Sequence, residues 1–176
     1  GRRLGELVYG ADGETLGGVV GAGLRRNEAT LATAESCTGG LIGHRITQVS
    51  GSSTYFDRGL VVYSNRAKQS LLGVAADTLD RHGAVSGPCA EEMAEGAREN
   101  AGADLGLAAT GVAGPTGGSP EKPVGTVYIA LASDRGAWSE KFHFPGTRAQ
   151  VKALTAETAL SMLRRRLADD TFLFRD

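Results

Sequence analysis

The sequence predicts an α/β domain: a mixed, mostly parallel sheet covered by helices on both faces. Segments with apolar residues at helical spacing alternate with short apolar runs of strand length, the pattern of strands joined by crossover helices. The run Leu60-Val61-Val62-Tyr63 is β-branched and aromatic, the clearest strand signal of the first half. Residues 124–132 and 137–144 read as consecutive strands joined at Ser133-Asp134-Arg135-Gly136. That hairpin makes the sheet mixed.

In chain order, residues 1–13 are rich in Gly and charge and read as a linker or tail. Leu16, Val19, Val20 and Leu24 then mark a helix face. That helix contains Gly17, Gly18, Gly21 and Gly23, each costing about 1 kcal/mol against alanine, so it depends on packing. A strand over residues 30–34 ends abruptly in Glu35-Ser36-Cys37-Thr38-Gly39-Gly40. A second helix carries Leu41, Ile42, Ile46 and Val49 inward, and Gly51-Ser52-Ser53 breaks the chain before the next strand. Asn65 is the expected N-cap of a helix with Lys68, Leu71 and Leu72. A helix over residues 88–100 buries Ala90, Met93, Ala94 and Ala97, and residues 105–109 form a short buried strand. Residues 111–123 form a long Gly/Pro loop. The last helix starts at Thr147, where Thr-Arg-Ala-Gln fits a capping box, and runs through Val151, Leu154, Met162, Leu163 and Leu167. There is no internal repeat, and a single domain is expected over residues 14–170, with 171–176 as a tail.

Composition narrows the function classes. The chain has 176 residues, enough for one core, and a net charge of −1, which gives no field for nucleic acid or an anionic membrane. Arg164-Arg165-Arg166 reads as a solvated helix end. No apolar stretch spans a bilayer and no secretory leader opens the chain, so a cytoplasmic protein is expected. Cys37 and Cys89 make no disulfide framework, and the three histidines are scattered, so neither a metal nor another cofactor is expected.

Three features can carry chemistry. Ser36 lies where a strand turns into a helix, ahead of Thr38, Gly39 and Gly40. Such a turn lifts a hydroxyl out of the sheet beside unpaired N–H groups. It suits a nucleophile next to an oxyanion hole, a phosphate cradle, or a plain helix cap. Second, Tyr63 closes a strand and Lys68 follows on the first turns of the next helix. His44, His82 and His143 have no acidic residue at a telling spacing, so a Ser-His-Asp triad is weakly supported. A buried lysine can replace histidine as the base, with tyrosine as a proton relay. The alternative is a surface lysine and a core tyrosine. Third, Thr110-Gly111-Val112-Ala113-Gly114-Pro115-Thr116-Gly117-Gly118 lets backbone amides approach an anion, but matches neither a Walker A nor a dinucleotide fingerprint. Arg148, in the first turn of the last helix, opposes the helix dipole, which suggests an anionic ligand.

Taken together, these motifs resemble a known family. Thr33-Ala34-Glu35-Ser36-Cys37-Thr38-Gly39-Gly40, Val62-Tyr63-Ser64-Asn65 through Ala67-Lys68, Gly83-Ala84-Val85-Ser86, and Thr110-Gly111-Val112-Ala113-Gly114-Pro115 with Lys122-Pro123-Val124-Gly125-Thr126 resemble the competence/damage-inducible CinA family. The similarity is to its C-terminal domain, the nicotinamide-nucleotide amidase, and covers roughly residues 14–168 in order. It implies a three-layer α/β/α sandwich. It also implies metal-free deamidation of nicotinamide mononucleotide to nicotinate mononucleotide, a step of pyridine-nucleotide recycling.

The resemblance carries the family's catalytic serine, tyrosine and lysine onto Ser36, Tyr63 and Lys68, and its motif arginine onto Arg148. Thr38, Gly39, Gly40, Thr110, Gly111 and Gly114 are the further expected substrate contacts. A homodimer is expected, with no membrane and no direct nucleic-acid partner. Arg3-Leu4-Gly5-Glu6-Leu7-Val8-Tyr9-Gly10 resembles the junction of the longer two-domain members. It implies a preceding domain similar to molybdopterin-binding folds, linked in the family to nucleotide pyrophosphatase activity. The rival expectation is a nucleotide-binding or DNA-damage-response module of the same fold without turnover.

Overall fold

The structure, a computed structural model, describes residues 13–168; the expected tail at 1–13, apart from Gly13, and the tail at 171–176 lie outside the described residues. The elements run α1 (Leu16–Arg26), β1 (Leu31–Glu35), α2 (Leu41–Thr47), β2 (Phe56–Val61), α3 (Asn65–Leu72), α4 (Ala76–His82), α5 (Gly87–Ala101), β3 (Leu105–Gly111), β4 (Thr126–Ser133), β5 (Gly136–His143) and α6 (Arg148–Ala168). The five strands form one sheet in the order β2-β1-β3-β4-β5. β1 pairs in parallel with β2 and β3, while β4 is antiparallel to both β3 and β5. Four strands therefore point one way and β4 the other: a mixed sheet, as the late hairpin predicts.

Strand alternation sorts the core into two unlike faces. Leu31 of β1, Leu105, Leu107 and Ala109 of β3, and Val127, Ile129 and Leu131 of β4 pack with α1, α2 and α6. The opposite face is mostly alanine: Ala32, Ala34, Ala108, Ala130 and Ala132 meet α5 and the end of α3. The small side chains let α5 lie close. A Cβ on Gly96 would fall on the Leu72 carbonyl oxygen at the end of α3. In α1 the glycines serve the same end: a Cβ on Gly17 would sit 2.9 Å from the Arg45 carbonyl oxygen, and one on Gly21 would fall on the Tyr55 hydroxyl. The helix with poor propensity is held by contacts that only glycine permits.

Several boundaries differ from the sequence expectation. β2 ends at Val61, so Tyr63 lies beyond the strand instead of closing it. The earlier part of β2 hides behind polar residues, because it is an exposed edge strand with little alternation to read. Ser64, not Asn65, caps α3, its Oγ accepting from the Ala67 N–H at 3.1 Å. α4 carried no periodicity strong enough to predict. The capping box of α6 is present: the Thr147 N–H donates to Gln150 Oε1 at 2.8 Å and the Gln150 N–H to Thr147 Oγ1 at 3.4 Å. Of the apolar residues along α6, Leu154 is exposed.

Candidate active site

β1 and β3 lie side by side, and their carboxyl ends open on one edge of the sheet. In α/β sheets this is the edge where ligands collect. Ser36 follows β1 directly, and its N–H still donates to Ala109 O of β3 at 2.9 Å. Alternation then sends its side chain toward the alanine face, opposite to Glu35. α3 starts on that side and brings Lys68 underneath. Lys68 Nζ donates to Ser36 Oγ at 3.0 Å and to Val62 O at 2.9 Å.

Lys68 is only 1% exposed, Ser36 8%. Among the described residues Lys68 has no ion pair, and burial holds its amine below the usual lysine range. The cysteine thiols nearby act in the opposite direction, and more weakly. Burial also pushes Cys37 up to about 12 and Cys89 to about 11, so neither is a thiolate near neutrality. Both are free and buried. The titratable partner of the serine is the lysine.

Above the pair is a cleft of about 220 Å³ lined by Ser36, Lys68, Ala84, Val85, Ala113 and Gly111 among others. Thr110 borders it, but its hydroxyl donates to Ala84 O at 2.7 Å, and so ties β3 to the 83–86 segment that walls the cleft. Residues 111–123 are less free than expected. Val112 pairs with Thr126 and Gly125 at the base of the loop, and the Ser119 N–H donates to Lys122 O. Lys122 Nζ donates to His82 O at 2.6 Å, joining this loop to the end of α4.

At the rim, Tyr63 and Arg148 pair with each other. Tyr63 is 62% exposed, and its hydroxyl accepts from Arg148 Nη2 at 2.8 Å. It makes no hydrogen bond to Lys68 or Ser36, although all three line the same cleft. Arg148 also donates through Nη1 to Gly114 O at 2.9 Å, so a protein carbonyl and a phenol occupy part of its guanidinium.

In the 37–40 turn, two of the expected donors are already used. The Gly39 N–H donates to Ser36 O at 3.2 Å, and the Gly40 N–H to Glu35 Oε2 at 2.9 Å. Gly39 and Gly40 therefore offer no spare N–H to a substrate. The N–H groups of Cys37 and Thr38 donate to no oxygen among the described residues and meet the Cys37 sulfur instead, while the Thr38 hydroxyl is buried and unpartnered. Glu35, assigned no role from sequence, lies at the centre of this turn. The available signal was strand alternation, which sends a carboxylate before Ser36 toward the start of α2.

Among the described residues no group of three His, Cys, Asp or Glu side chains is arranged to hold a metal ion. No described helix is long and apolar enough to cross a membrane.

Fold and site together define a three-layer α/β domain with a buried serine–lysine pair at the carboxyl edge of its parallel strands. Comparison with known proteins gives the same class a name. The CinA C-terminal domain family matches residues 13–167, and the chain belongs to that family. It is 56% identical over 164 residues to a CinA-like protein of Geotalea daltonii, and 54% identical over 168 residues to one of Syntrophus aciditrophicus. These matches cover 93% and 95% of this chain but 40% of each relative, so the chain spans well under half the length of the relatives it matches. Among solved structures, the competence/damage inducible protein CihA from Agrobacterium tumefaciens superposes with a TM-score of 0.84 at 40% identity, covering 92% of this chain and 99% of that one. The competence damage-inducible protein A from Klebsiella pneumoniae gives 0.85 at 36% identity, over 88% and 96%.

Proposed function

We propose that the domain hydrolyses the carboxamide of nicotinamide mononucleotide to nicotinate mononucleotide and ammonia through an acyl-enzyme on Ser36. The observation that carries this is Lys68: a buried amine with no counter-ion among the described residues, 3.0 Å from the hydroxyl of Ser36 where both line a cleft. A serine hydroxyl near neutral pH needs a base to become nucleophilic. An amine whose proton is destabilised by burial can be that base.

In the neutral amine the 3.0 Å contact reverses: Ser36 Oγ–H donates to the Nζ lone pair. Oγ attacks the carboxamide carbon as Nζ takes the proton. The oxyanion would take backbone N–H groups of the 37–38 turn in place of the Cys37 sulfur they now meet, and one such donor is worth about 3–4 kcal/mol of barrier. The tetrahedral adduct collapses by breaking the C–N bond, and the Lys68 ammonium returns its proton to the leaving ammonia. Lys68, neutral again, then deprotonates a water that cleaves the acyl ester, releasing nicotinate mononucleotide and restoring Ser36. The pyridine ring would lie against Val85, Ala84 and Ala113. The phosphate would take the guanidinium N–H groups of Arg148 that Tyr63 and Gly114 leave unused.

The test is ammonia release from nicotinamide mononucleotide by the purified protein, with a burst in the first turnover if deacylation is slow. Binding of the nucleotide without ammonia release would leave a nucleotide-binding module in place of an enzyme.

A further inference from the structure

A turn that presents a nucleophile ahead of a helix ordinarily leaves the first N–H groups of that helix free to meet the developing oxyanion. Here an acidic side chain of the chain itself takes them. β1 sends Glu35 to the α2 face, where the side chain is 1% exposed. Oε2 accepts from the N–H groups of Gly40 at 2.9 Å and Ile42 at 3.0 Å, and Oε1 from that of Gly43 at 2.8 Å. No lysine or arginine pairs with it among the described residues. A buried carboxylate is costly unless its hydrogen bonds compensate, and here all of them come from the start of one helix.

The backbone of Glu35 reaches the other half of the site. Its carbonyl accepts from the Val62 N–H at 2.9 Å, and Val62 O is the second acceptor of Lys68 Nζ. Between Glu35 and α2 the chain runs through Gly39 and Gly40 at φ 64° and 95°. Glycines there admit many paths for the turn, so something must select one.

We propose that Glu35 is the positioning residue of the Ser36 turn. Its carboxylate binds the start of α2 back onto the end of β1 and so fixes where residues 36–40 run. It also occupies three N–H groups at the helix N-terminus, those of Gly40, Ile42 and Gly43. This rests on the serine–lysine reading above. Glutamine at position 35 keeps the shape but removes the charge, and sets an NH2 group against N–H donors where an oxygen stood.

The test compares wild type, Glu35→Gln and Glu35→Asp by three measurements. The first is the rate of Ser36 labelling by phenylmethanesulfonyl fluoride across pH, read by mass spectrometry. In that reaction an Oγ–S bond forms, the S–F bond breaks, fluoride leaves and Lys68 takes the proton. The second is kcat and KM for ammonia release, and the third is amide exchange at Gly40, Ile42 and Gly43. For Glu35→Gln, labelling and kcat should fall at least tenfold with KM within twofold. The labelling midpoint should stay in place, because Lys68 keeps its surroundings. Exchange should quicken at residues 40–43 while α5 keeps its wild-type rates, and Glu35→Asp should recover part of the loss.

Labelling and kcat within twofold of wild type would overturn the proposal. So would a uniform rise in exchange that includes α5, since that assigns Glu35 to global stability. Should Glu35→Gln fail to fold, Glu35→Asp decides by the same criteria. Wild-type protein that is labelled at Ser36 yet releases no ammonia loses the amidase reading and leaves the Glu35 test standing. If wild type resists labelling as well, the exchange rates at residues 40–43 decide alone, and unchanged rates overturn it.

Discussion

Ser36 and Lys68 meet because a strand end and the first turns of a helix from opposite sides of a crossover converge on one sheet edge. Ser36→Ala should abolish ammonia release while costing about 0.5–1.5 kcal/mol of stability, the usual net worth of one hydrogen bond. Loss of more than that in thermal unfolding, or retention of a few per cent of activity, would remove the serine from its role. Lys68→Arg should be nearly as inactive as Lys68→Ala, because a guanidinium keeps its proton in a protein. The pH dependence follows from the lowered amine. Activity should rise with pH as Lys68 loses its proton, with a midpoint below 10.5, the ordinary value for lysine. The sign for stability is set the same way. The unfolded chain binds the Lys68 proton more tightly than the folded one, so this group destabilises the fold below its folded pKa, and stability recovers as pH rises toward 10.5. Lys68→Met should therefore raise the melting temperature, more at pH 6 than at pH 10, while eliminating turnover. Both residues were named from the sequence through the family resemblance, since the turn and the spacing alone left a helix cap and a surface lysine open. Glu35 and the rim pairing of Tyr63 with Arg148 were not. The first needs the face on which a side chain falls, and the second needs two segments 85 positions apart to meet.

At the scale of elements, α3 carries Lys68 and is located by α5. The Leu72 carbonyl at the end of α3 rests where Gly96 has no side chain. Gly96→Ala should force the helices apart, costing about 1–3 kcal/mol as an overpacked core substitution does. It should also lower kcat more than KM, because Lys68 would move against Ser36. Thermal unfolding together with steady-state rates checks this, and a stability loss with unchanged kcat would show that α3 tolerates the shift. Glycine-rich helices were readable as packing-dependent from propensity alone. Which neighbour each glycine admits was not. Nor was the extent of β2, whose exposed edge carries polar residues on both faces.

Across the whole molecule, Arg148 joins three distant pieces: the exit of β2 through Tyr63, the loop after β3 through Gly114, and the start of α6. If its remaining N–H groups hold the substrate phosphate, Arg148→Ala should weaken transition-state binding of nicotinamide mononucleotide by about 1.5–3 kcal/mol, as for a charged hydrogen bond. Nicotinamide riboside lacks the phosphate and should be a poor substrate that the mutation makes little worse. Equal damage to both would assign Arg148 to holding the rim together. The mixed α/β architecture was legible from alternating periodicities and one hairpin, because those signals are local. The convergence of the rim was not, because it depends on sheet order.

The two faces of the sheet also differ in what substitution they can absorb over evolutionary time. The leucine, isoleucine and valine face can exchange volume between neighbours, one residue growing as another shrinks. The alanine face has almost nothing to give up and no room to gain. Accepted changes among relatives should therefore accumulate on the side of α1, α2 and α6, while the side of α5 drifts slowly. That slow side is the one from which α3 delivers Lys68, so the serine–lysine geometry inherits its constancy from the smallest side chains in the core.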